Sequence, residues 1–393
     1  MMQRKAKRFM KKRIYDVIII GGGIIGCSLA FELAKQNAGT IVVLEKKYLT
    51  AGATGRCNAG FREFWSTDLY VDLSQESIEI YEHLNEYTGY PYDCEVIRNG
   101  YFFPIYNESI EKYESIIKFQ NMRGIPTIVI NAKEMKHLVP SFNTEGVKHV
   151  IWSKRDGNAN PFQCTFAYAL GAQKRGVEII TECDVKDIIV RNQEVKGVVT
   201  NKGVFESEYI YNCTNSDAPQ IAAKVGDELP IQRVMRQTLI TERMSNLGGK
   251  GAMLPMIINM ENGCWIKQSP SGTLMLGKAE NDTQENGLGW DFMERASALN
   301  VEMLPALHNS KIIRQYEGFY DVSPDYAPII SKSANARGLT HVCGFSGHGF
   351  MIAPKFSRIV AKAHSGKVSD IKVEQFYVER FEHGNTLIDQ LAI

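Results

Sequence analysis

Three glycines and one acid have the spacing of a dinucleotide-binding site. Gly21, Gly23 and Gly26 fit the pattern G-x-G-x-x-G, and Glu45 follows Gly26 by nineteen residues. In such a site the first glycine makes a tight turn, the second lets the backbone approach a pyrophosphate, and the third lets a helix pack on its strand. A carboxylate at the position of Glu45 accepts hydrogen bonds from ribose hydroxyls and repels a 2′-phosphate. These residues predict a dinucleotide site that does not favour NADP.

The segments around the glycines predict a strand, a helix and a second strand. Residues 15–20 are β-branched and apolar, residues 27–36 fit a helix packed on a sheet, and residues 40–44 form another apolar run. The helix start would offer free N–H groups and a positive dipole end to phosphates. NAD and FAD both use this arrangement. The small-residue stretch 51–60 follows where NAD enzymes normally continue with βαβ units, and it favours FAD.

Length and charge exclude several classes of protein. The chain has 393 residues, of which 44% are apolar, so it predicts a soluble globular protein of two intertwined domains. The longest apolar run, residues 17–30, is shorter than the ~20 residues of a membrane-spanning helix. Residues 1–13 hold seven of the 45 basic residues and no acid, which leaves the remainder with 38 basic and 44 acidic residues. We interpret residues 1–13 as a solvated basic arm, with docking to a partner or an anionic surface as the alternative, and we expect no nucleic-acid binding.

The eight cysteines are dispersed along the chain. The two nearest in sequence, Cys164 and Cys183, are nineteen positions apart, and no CxxC pair occurs. No spacing of cysteine and histidine fits a zinc or iron–sulfur site, so we expect no metal. Dispersed thiols in a chain of this size predict a reducing, cytoplasmic location.

Four stretches of the sequence resemble a known family. They are residues 21–45, 50–64 (TAGATGRCNAGFREF), 156–162 (DGNANPF) and 344–354 (GFSGHGFMIAP). Together they resemble the D-amino-acid-oxidase superfamily of FAD amine oxidoreductases, and within it the β subunits of heteromeric sarcosine oxidase and L-proline dehydrogenase. The resemblance extends over about residues 14–385.

The resemblance implies a fold with two domains. The first is an α/β FAD-binding domain, Rossmann-like and of the glutathione-reductase type, built from residues 14–90, 150–222 and 312–385. The second is an inserted α+β substrate domain with an antiparallel sheet, built from residues 91–149 and 223–311. The resemblance also implies that an α-type partner subunit could accompany this chain.

The resemblance also assigns positions to the cofactor. The loop after the second strand and the glycine-rich entry to the last helix would meet FAD, the latter through backbone N–H groups at the flavin pyrimidine edge. The backbone of Val185 would meet the adenine. The complete set of predicted cofactor-binding residues is Gly21, Gly23, Gly26, Glu45, Thr54, Gly55, Arg56, Cys57, Val185, Gly318, Gly344, Gly347, His348, Gly349, Phe350 and Met351.

Two residues are candidates for the chemistry. Arg62 matches the arginine that binds the substrate carboxylate in monomeric sarcosine oxidases, and a guanidinium suits a planar carboxylate. His348 would lie beside the flavin, where it could stabilise negative charge on the reduced flavin or adjust protonation of the substrate amine. A surface or salt-bridged arginine and a structural histidine are the alternatives. Arg56 serves either the cofactor or its own loop.

Departures from the family pattern refine these expectations. Gly318 falls where monomeric sarcosine oxidases have the cysteine that binds FAD covalently, so we predict non-covalent FAD. Met351 replaces a lysine that helps to hold the carboxylate, which favours a substrate with a ring or alkyl substituent. Met275 replaces a lysine that promotes reaction with O2, while Lys278 is expected on the opposite face of its strand, so a dehydrogenase is favoured over an oxidase.

A second flavin is left open. Some heteromeric sarcosine oxidase β subunits tether FMN through a histidine, and the corresponding segment around Gln163 and Cys164 has none. Covalent FMN is therefore not expected, whereas non-covalent FMN at a subunit interface cannot be inferred from one chain.

These expectations converge on one hypothesis. FAD would oxidise the CH–NH bond of a small, secondary amino acid (proline, hydroxyproline or sarcosine) by hydride transfer to flavin N5, giving an imine. The alternatives are a CH–OH oxidoreductase acting on glycerol 3-phosphate or a 2-hydroxy acid, a non-catalytic FAD relay subunit of a heteromeric complex, and a protein that binds NAD alone.

Overall fold

A computed structural model describes residues 13–279 and 289–392, which form twenty strands and nine α-helices. The strands are β1 (Arg13–Ile14), β2 (Val17–Ile20), β3 (Ile41–Leu44), β4 (Gly60–Phe61), β5 (Tyr101–Ile105), β6 (Thr127–Ile130), β7 (His149–Ser153), β8 (Gly157–Asn158), β9 (Glu178–Ile180), β10 (Val185–Arg191), β11 (Glu194–Thr200), β12 (Gly203–Glu206), β13 (Tyr209–Asn212), β14 (Gln232–Arg243), β15 (Met256–Ile258), β16 (Cys264–Gln268), β17 (Thr273–Lys278), β18 (Ile312–Val322), β19 (Ile329–Lys332) and β20 (Leu339–Cys343). The helices are α1 (Ile24–Lys35), α2 (Asp68–Glu82), α3 (Leu84–Thr88), α4 (Glu111–Met122), α5 (Ala132–Leu138), α6 (Pro161–Gln173), α7 (Ala218–Ala222), α8 (Trp290–Met303) and α9 (Gly349–His364).

The apolar run after Asp16 forms the centre of a six-stranded sheet. Its order is β19-β20-β13-β2-β3-β9, and all neighbours except the pair β19–β20 run parallel. Every residue of β2 and β3 is buried, because helices α1, α6 and α9 cover one face and the small sheet β1-β12-β11-β10 covers the other. Parallel strands buried on both faces explain the continuous apolar runs in the sequence.

The second large sheet has eight strands in the order β18-β14-β17-β16-β15-β5-β7-β6. Only β15 and β5 are parallel neighbours. Residues of α5 and α8 pack with one face of this sheet in a separate apolar cluster. The predicted Rossmann-like α/β fold with an additional, mostly antiparallel sheet is thereby confirmed.

Two strands pair in a different sheet from the one that the predicted domain boundaries imply. Residues 150–153 of β7 and all of β18 were placed in the FAD-binding domain, yet they belong to the eight-stranded sheet. The reason is their register: β18 pairs with β14 from Val322 opposite Gln232 to Ile312 opposite Thr241. The division of the remaining residues into two domains stays a prediction.

Three further expectations concern the whole chain. Of the predicted basic arm, residues 1–12 lie outside the described residues, while Arg13 begins β1 and pairs with Phe205 of β12. All eight cysteines are free thiols, and the cytoplasmic location stays a prediction. Within the described ranges, no helix is long and apolar enough to cross a membrane.

Candidate active site

A cavity of about 970 Å³ runs from the carboxyl ends of β2 and β3 to the face of the eight-stranded sheet at Tyr101 and Trp265. It brings together most of the residues predicted to bind cofactor or substrate. Those that line it are Gly21, Gly23, Glu45, Thr54, Arg56, Cys57, Arg62, Val185, Gly318, Gly347, His348, Gly349, Phe350 and Met351. Gly26, Gly55 and Gly344 lie behind the wall.

Two of the three fingerprint glycines, Gly21 and Gly26, occupy positions where a side chain would collide with backbone, and a Cβ on Gly23 would lie 3.0 Å from the Thr54 hydroxyl. Gly21 has φ +111°, and a Cβ there would lie 2.5 Å from the carbonyl oxygen of Cys213. A Cβ on Gly26 would lie 2.0 Å from the carbonyl oxygen of Gly21, so this glycine lets α1 approach β2. Gly23 is the N-cap of α1 and contributes no side chain to it. The start of α1 is thus left open toward the cavity, as phosphate binding requires.

Glu45 and Thr54 shape this end of the cavity. The Glu45 carboxylate is buried and accepts the N–H groups of Gly22 and Lys47, each at 2.8 Å. Each carboxylate oxygen can accept a second hydrogen bond, so Glu45 keeps capacity for ribose hydroxyls. The Thr54 hydroxyl accepts the N–H of Ile24 at 3.0 Å and joins the loop after β3 to the first turn of α1.

The loop at residues 53–57 is held largely by its own side chains. Arg56 Nη1 donates to the carbonyl of Gly52 at 3.1 Å and also to that of Ala51. The Cys57 thiol donates to the carbonyl of Thr54, and burial raises its pKa to about 11. A Cβ on Gly318 would lie 3.0 Å from Cβ of Arg56. Arg56 therefore holds its own loop and also lines the cavity, so both of its predicted roles stay open.

The glycine-rich entry to α9 is organised by a buried acid that sequence reasoning missed. The Asp321 carboxylate accepts the N–H of Gly344 at 2.6 Å, and burial raises its pKa to about 6. Gly347 has φ +91°, and a Cβ there would lie 2.3 Å from the ring of Tyr320. With His348 as N-cap and no capping side chain, the start of α9 borders the cavity.

Arg62 lies at the end of the cavity away from the fingerprint glycines and is buried, with 6% of its surface exposed. Its guanidinium lies 3.9 Å from the ring centroid of Trp65, and Nη2 donates to the carbonyl oxygen of Leu391 at 2.5 Å. Burial lowers the pKa of Arg62, and the nearby charges of Asp389 and Asp156 oppose this effect. No carboxylate of the described residues lies within 4 Å of it. The surface and salt-bridge alternatives therefore find no support.

His348 is a neutral imidazole in this setting. Burial, and then the charge of Arg62, lower its pKa to about 3. Its ring meets Trp65 edge-on at 5.1 Å and lies 6.4 Å from that of Tyr70. Nδ1 finds no hydrogen-bond partner among the described residues. The imidazole can accept or donate a hydrogen bond, but it carries no positive charge near neutral pH.

Lys267 was also missed from the sequence. It lies in the middle of β16 on the same face as Trp265, is 4% exposed, and donates to the backbone carbonyl of Asn58 in the cavity wall. Burial lowers its pKa to about 8. A lysine two residues from a tryptophan in a short strand was the available signal, because alternation places both on one face.

The prediction for Lys278 was wrong. It was expected to face away from the site, but it lies at the end of β17 and borders the cavity, whereas Met275 does not. Met275 instead pairs across the sheet with Lys267. Met275 and Lys278 thus lie on opposite faces of β17, as alternation predicts, and the error was in which of the two faces meets the cavity.

The residues present fit FAD. A glycine turn that admits no side chain, a buried acid at the ribose position and a second backbone-rich helix start at residues 347–349 lie along one cavity. Fold and site together define a dinucleotide-binding flavoprotein. Among the described residues, no group of three potential ligands could hold a metal ion.

The family model of the FAD dependent oxidoreductases (DAO) matches residues 16–363, and the chain belongs to this family. The predicted resemblance, enzyme class and FAD cofactor are therefore confirmed. The chain is similar to the β subunit of sarcosine oxidase from Arthrobacter sp., with 26% identity over 96% of this chain and 94% of that protein. It is also similar to mitochondrial sarcosine dehydrogenase from Mus musculus, with 24% identity over 94% of this chain but 42% of that protein.

The fold is similar to that of a solved structure. L-Proline dehydrogenase from P. horikoshii superposes with a TM-score of 0.87 at 31% identity, over 95% of this chain and 100% of that chain. The names of these three relatives all describe the oxidation of an amino acid.

Proposed function

We propose that the protein oxidises the CH–NH bond of a small secondary amino acid of the proline, hydroxyproline or sarcosine type. The carbon would lose a hydrogen with two electrons and the nitrogen a proton, leaving an imine. The observation that carries this proposal is Arg62, a buried guanidinium with no carboxylate of the described residues within 4 Å. A buried charge without an ionic partner is unfavourable, and a substrate carboxylate would pair with it through two hydrogen bonds.

The walls near Arg62 suit an apolar substituent. Tyr101, Phe103 and Met256 line the cavity and belong to one buried cluster, and Met351 also lines it and packs against that cluster. Aromatic and thioether surfaces bind a ring or alkyl group through dispersion and burial, and they leave the carboxylate as the polar anchor. This composition supports a cyclic or N-alkyl amino acid over glycine.

The neutral His348 complements this arrangement. Near neutral pH it would not compete with Arg62 for the carboxylate, and it could accept a hydrogen bond from the substrate N–H. The predicted cofactor-binding residues that line the cavity would hold FAD, which supplies the two-electron acceptor when bound. Because Gly318 has no nucleophilic side chain, we propose that FAD is bound without a covalent link.

We further propose a dehydrogenase, because two of the relatives are named sarcosine dehydrogenase and L-proline dehydrogenase; Met275 does not carry this point, since it does not border the cavity. Lys267 and Lys278 are the residues that would make this proposal wrong, since a cation near reduced flavin favours transfer of electrons to O2. An α-type partner subunit is also proposed, because the relative from Arthrobacter sp. is named a subunit. The size of the native complex in its own cell extract tests that point.

Anaerobic flavin bleaching tests the proposed function. The purified protein is mixed with sarcosine, L- and D-proline, L- and D-hydroxyproline, glycine and glycerol 3-phosphate, and the visible absorbance of oxidised flavin is followed. We expect bleaching by one secondary amino acid and slow recovery of colour in air. Bleaching by glycerol 3-phosphate alone would refute CH–NH chemistry. Rapid recovery in air that is lost in Lys267→Met or Lys278→Met would show an oxidase.

A further inference from the structure

The segment Leu387 to Ala392, here called the strap, contacts Arg62 through Leu391 and reaches the cavity at Ala392. Leu391 is 3% exposed and belongs to the apolar cluster of Trp65 and Tyr70, while Ala392 borders the cavity itself. Leu387 also packs against this cluster. The strap is thus a part of the wall that would surround the substrate.

Carboxylates hold the strap at two points. Asp389 is buried, and its Oδ2 accepts the N–H of Ser66 and the hydroxyl of Thr67, both at 2.9 Å. The N–H of Leu387 donates at 3.0 Å to Asp325. The first anchor joins the strap to the segment that follows Arg62 in sequence, and the second joins it to the loop after β18.

Asp325 is fixed in turn from the other side. Its two carboxylate oxygens each accept a guanidinium N–H of Arg380 at 2.8 Å, within a buried pair. The buried pair with Arg380 fixes Asp325, and Asp325 in turn fixes the strap. The position of the strap is therefore set by specific hydrogen bonds as well as by apolar packing.

The strap also touches the proposed carboxylate anchor. The carbonyl oxygen of Leu391 accepts a hydrogen bond from Nη2 of Arg62 at 2.5 Å. A neutral carbonyl dipole orients the guanidinium without cancelling its charge, so the remaining N–H groups stay available to an anion. A carboxylate in the same place would have neutralised it.

We propose that the strap is the specificity element of the site: it orients Arg62 through Leu391 and limits substrate size through the side chains of Leu391 and Ala392. This inference rests on the proposed function, because it takes Arg62 as the carboxylate anchor. Shortening Leu391 opens space behind the wall, and lengthening Ala392 removes space inside it. The two changes should therefore move the preferred ligand size in opposite directions.

Binding of plain carboxylates to the FAD-loaded protein tests the strap. Acetate and cyclopentanecarboxylate are titrated, and the perturbation of the flavin spectrum gives each Kd. We expect Leu391→Ala to shift the Kd ratio about tenfold toward the larger acid and Ala392→Leu to shift it about tenfold toward acetate. Val368→Ala, which removes methyl groups from a 91% exposed side chain, should leave the ratio unchanged.

Unchanged ratios in both strap variants, or the same shift in both, would overturn the proposal. Ala392→Leu keeps the test valid if Leu391→Ala does not fold, because Ala392 is only partly buried. The readout is ligand binding and does not require turnover. If no amino acid bleaches the wild-type flavin, the proposed function fails while the strap can still be judged.

Discussion

The dinucleotide end and the substrate end of the cavity differ in how far apart in the chain their parts lie. Gly21, Gly23 and Glu45 belong to one unit of consecutive elements, β2, α1 and β3, and they act largely through backbone and close packing. Arg62 and His348 are 286 positions apart and act through buried side chains. The first end is therefore sensitive to any added Cβ, whereas the second is sensitive to the charge and reach of particular side chains.

The largest effect is expected at Gly26. In Gly26→Ala the new Cβ would lie 2.0 Å from the Gly21 carbonyl oxygen, so α1 must move away from β2. We expect a loss of about 1–3 kcal/mol of stability from overpacking and near-complete loss of bound flavin, measured as visible absorbance per protein. Gly289→Ala is the control, because among the described residues no atom would lie closer than 4.0 Å to its Cβ. Full flavin content in Gly26→Ala would contradict the geometry.

The next effect is expected at Arg62. Arg62→Met should keep the flavin but lower kcat/KM about 100-fold, mainly through KM, since two charge-assisted hydrogen bonds to the carboxylate are lost. Acetate binding should fall in parallel. Arg123→Met, which removes a surface partner of Asp68 and Asp72, serves as the matched control. Loss of flavin together with unchanged KM would show that Arg62 is only structural.

A smaller effect is expected at Lys267, on the free energy of unfolding and its dependence on pH. The pKa of Lys267 is about 8 in the folded chain and 10.5 in the unfolded chain. Between these two pH values the folded chain therefore binds fewer protons than the unfolded chain, so the stability of the fold rises with pH in this range. Below pH 8 the buried charge costs about 3 kcal/mol. Lys267→Met should remove this cost and leave the Asn58 carbonyl unpaired at about 1 kcal/mol.

The expected net gain for Lys267→Met is about 2 kcal/mol below pH 8; it falls through zero as the pH rises and becomes a loss of about 1 kcal/mol above pH 10.5. Chemical denaturation of the flavin-free protein at several pH values measures it. Lys278 is not a suitable control because it borders the cavity, so the exposed Lys372 is used in Lys372→Met. A gain that grows with pH would have the wrong sign.

The smallest effect is expected at His348. Because its pKa is about 3, it does not change charge between about pH 5 and 8. His348→Asn should lower activity while the shape of the profile of kcat/KM against pH stays that of the wild type. A limb that disappears in the variant would show that the imidazole titrates in this range once the site is loaded.

Much of the dinucleotide end could be predicted because its determinants are local. The strand and helix assignments agree with β2, α1 and β3 within a few residues, and α1 begins at Ile24 because Gly23 already serves as its N-cap. The role of a residue such as Gly26 follows from its spacing in the sequence alone. Lys278 shows the limit of local reasoning, since alternation separates the two faces of a strand but does not specify which face meets the cavity.

The sequence by itself determined the class of cofactor, since an apolar strand, spaced glycines and a terminal acid make a phosphate-binding helix start wherever they fold. Only the tertiary structure decided the substrate end. It brought Lys267 into a hydrogen bond with the carbonyl of Asn58, and Asp321 into one with the N–H of Gly344. It also brought the strap into contact with Arg62 through the carbonyl of Leu391. These contacts join segments far apart in the chain, and their energies depend on burial, which no spacing within the sequence specifies.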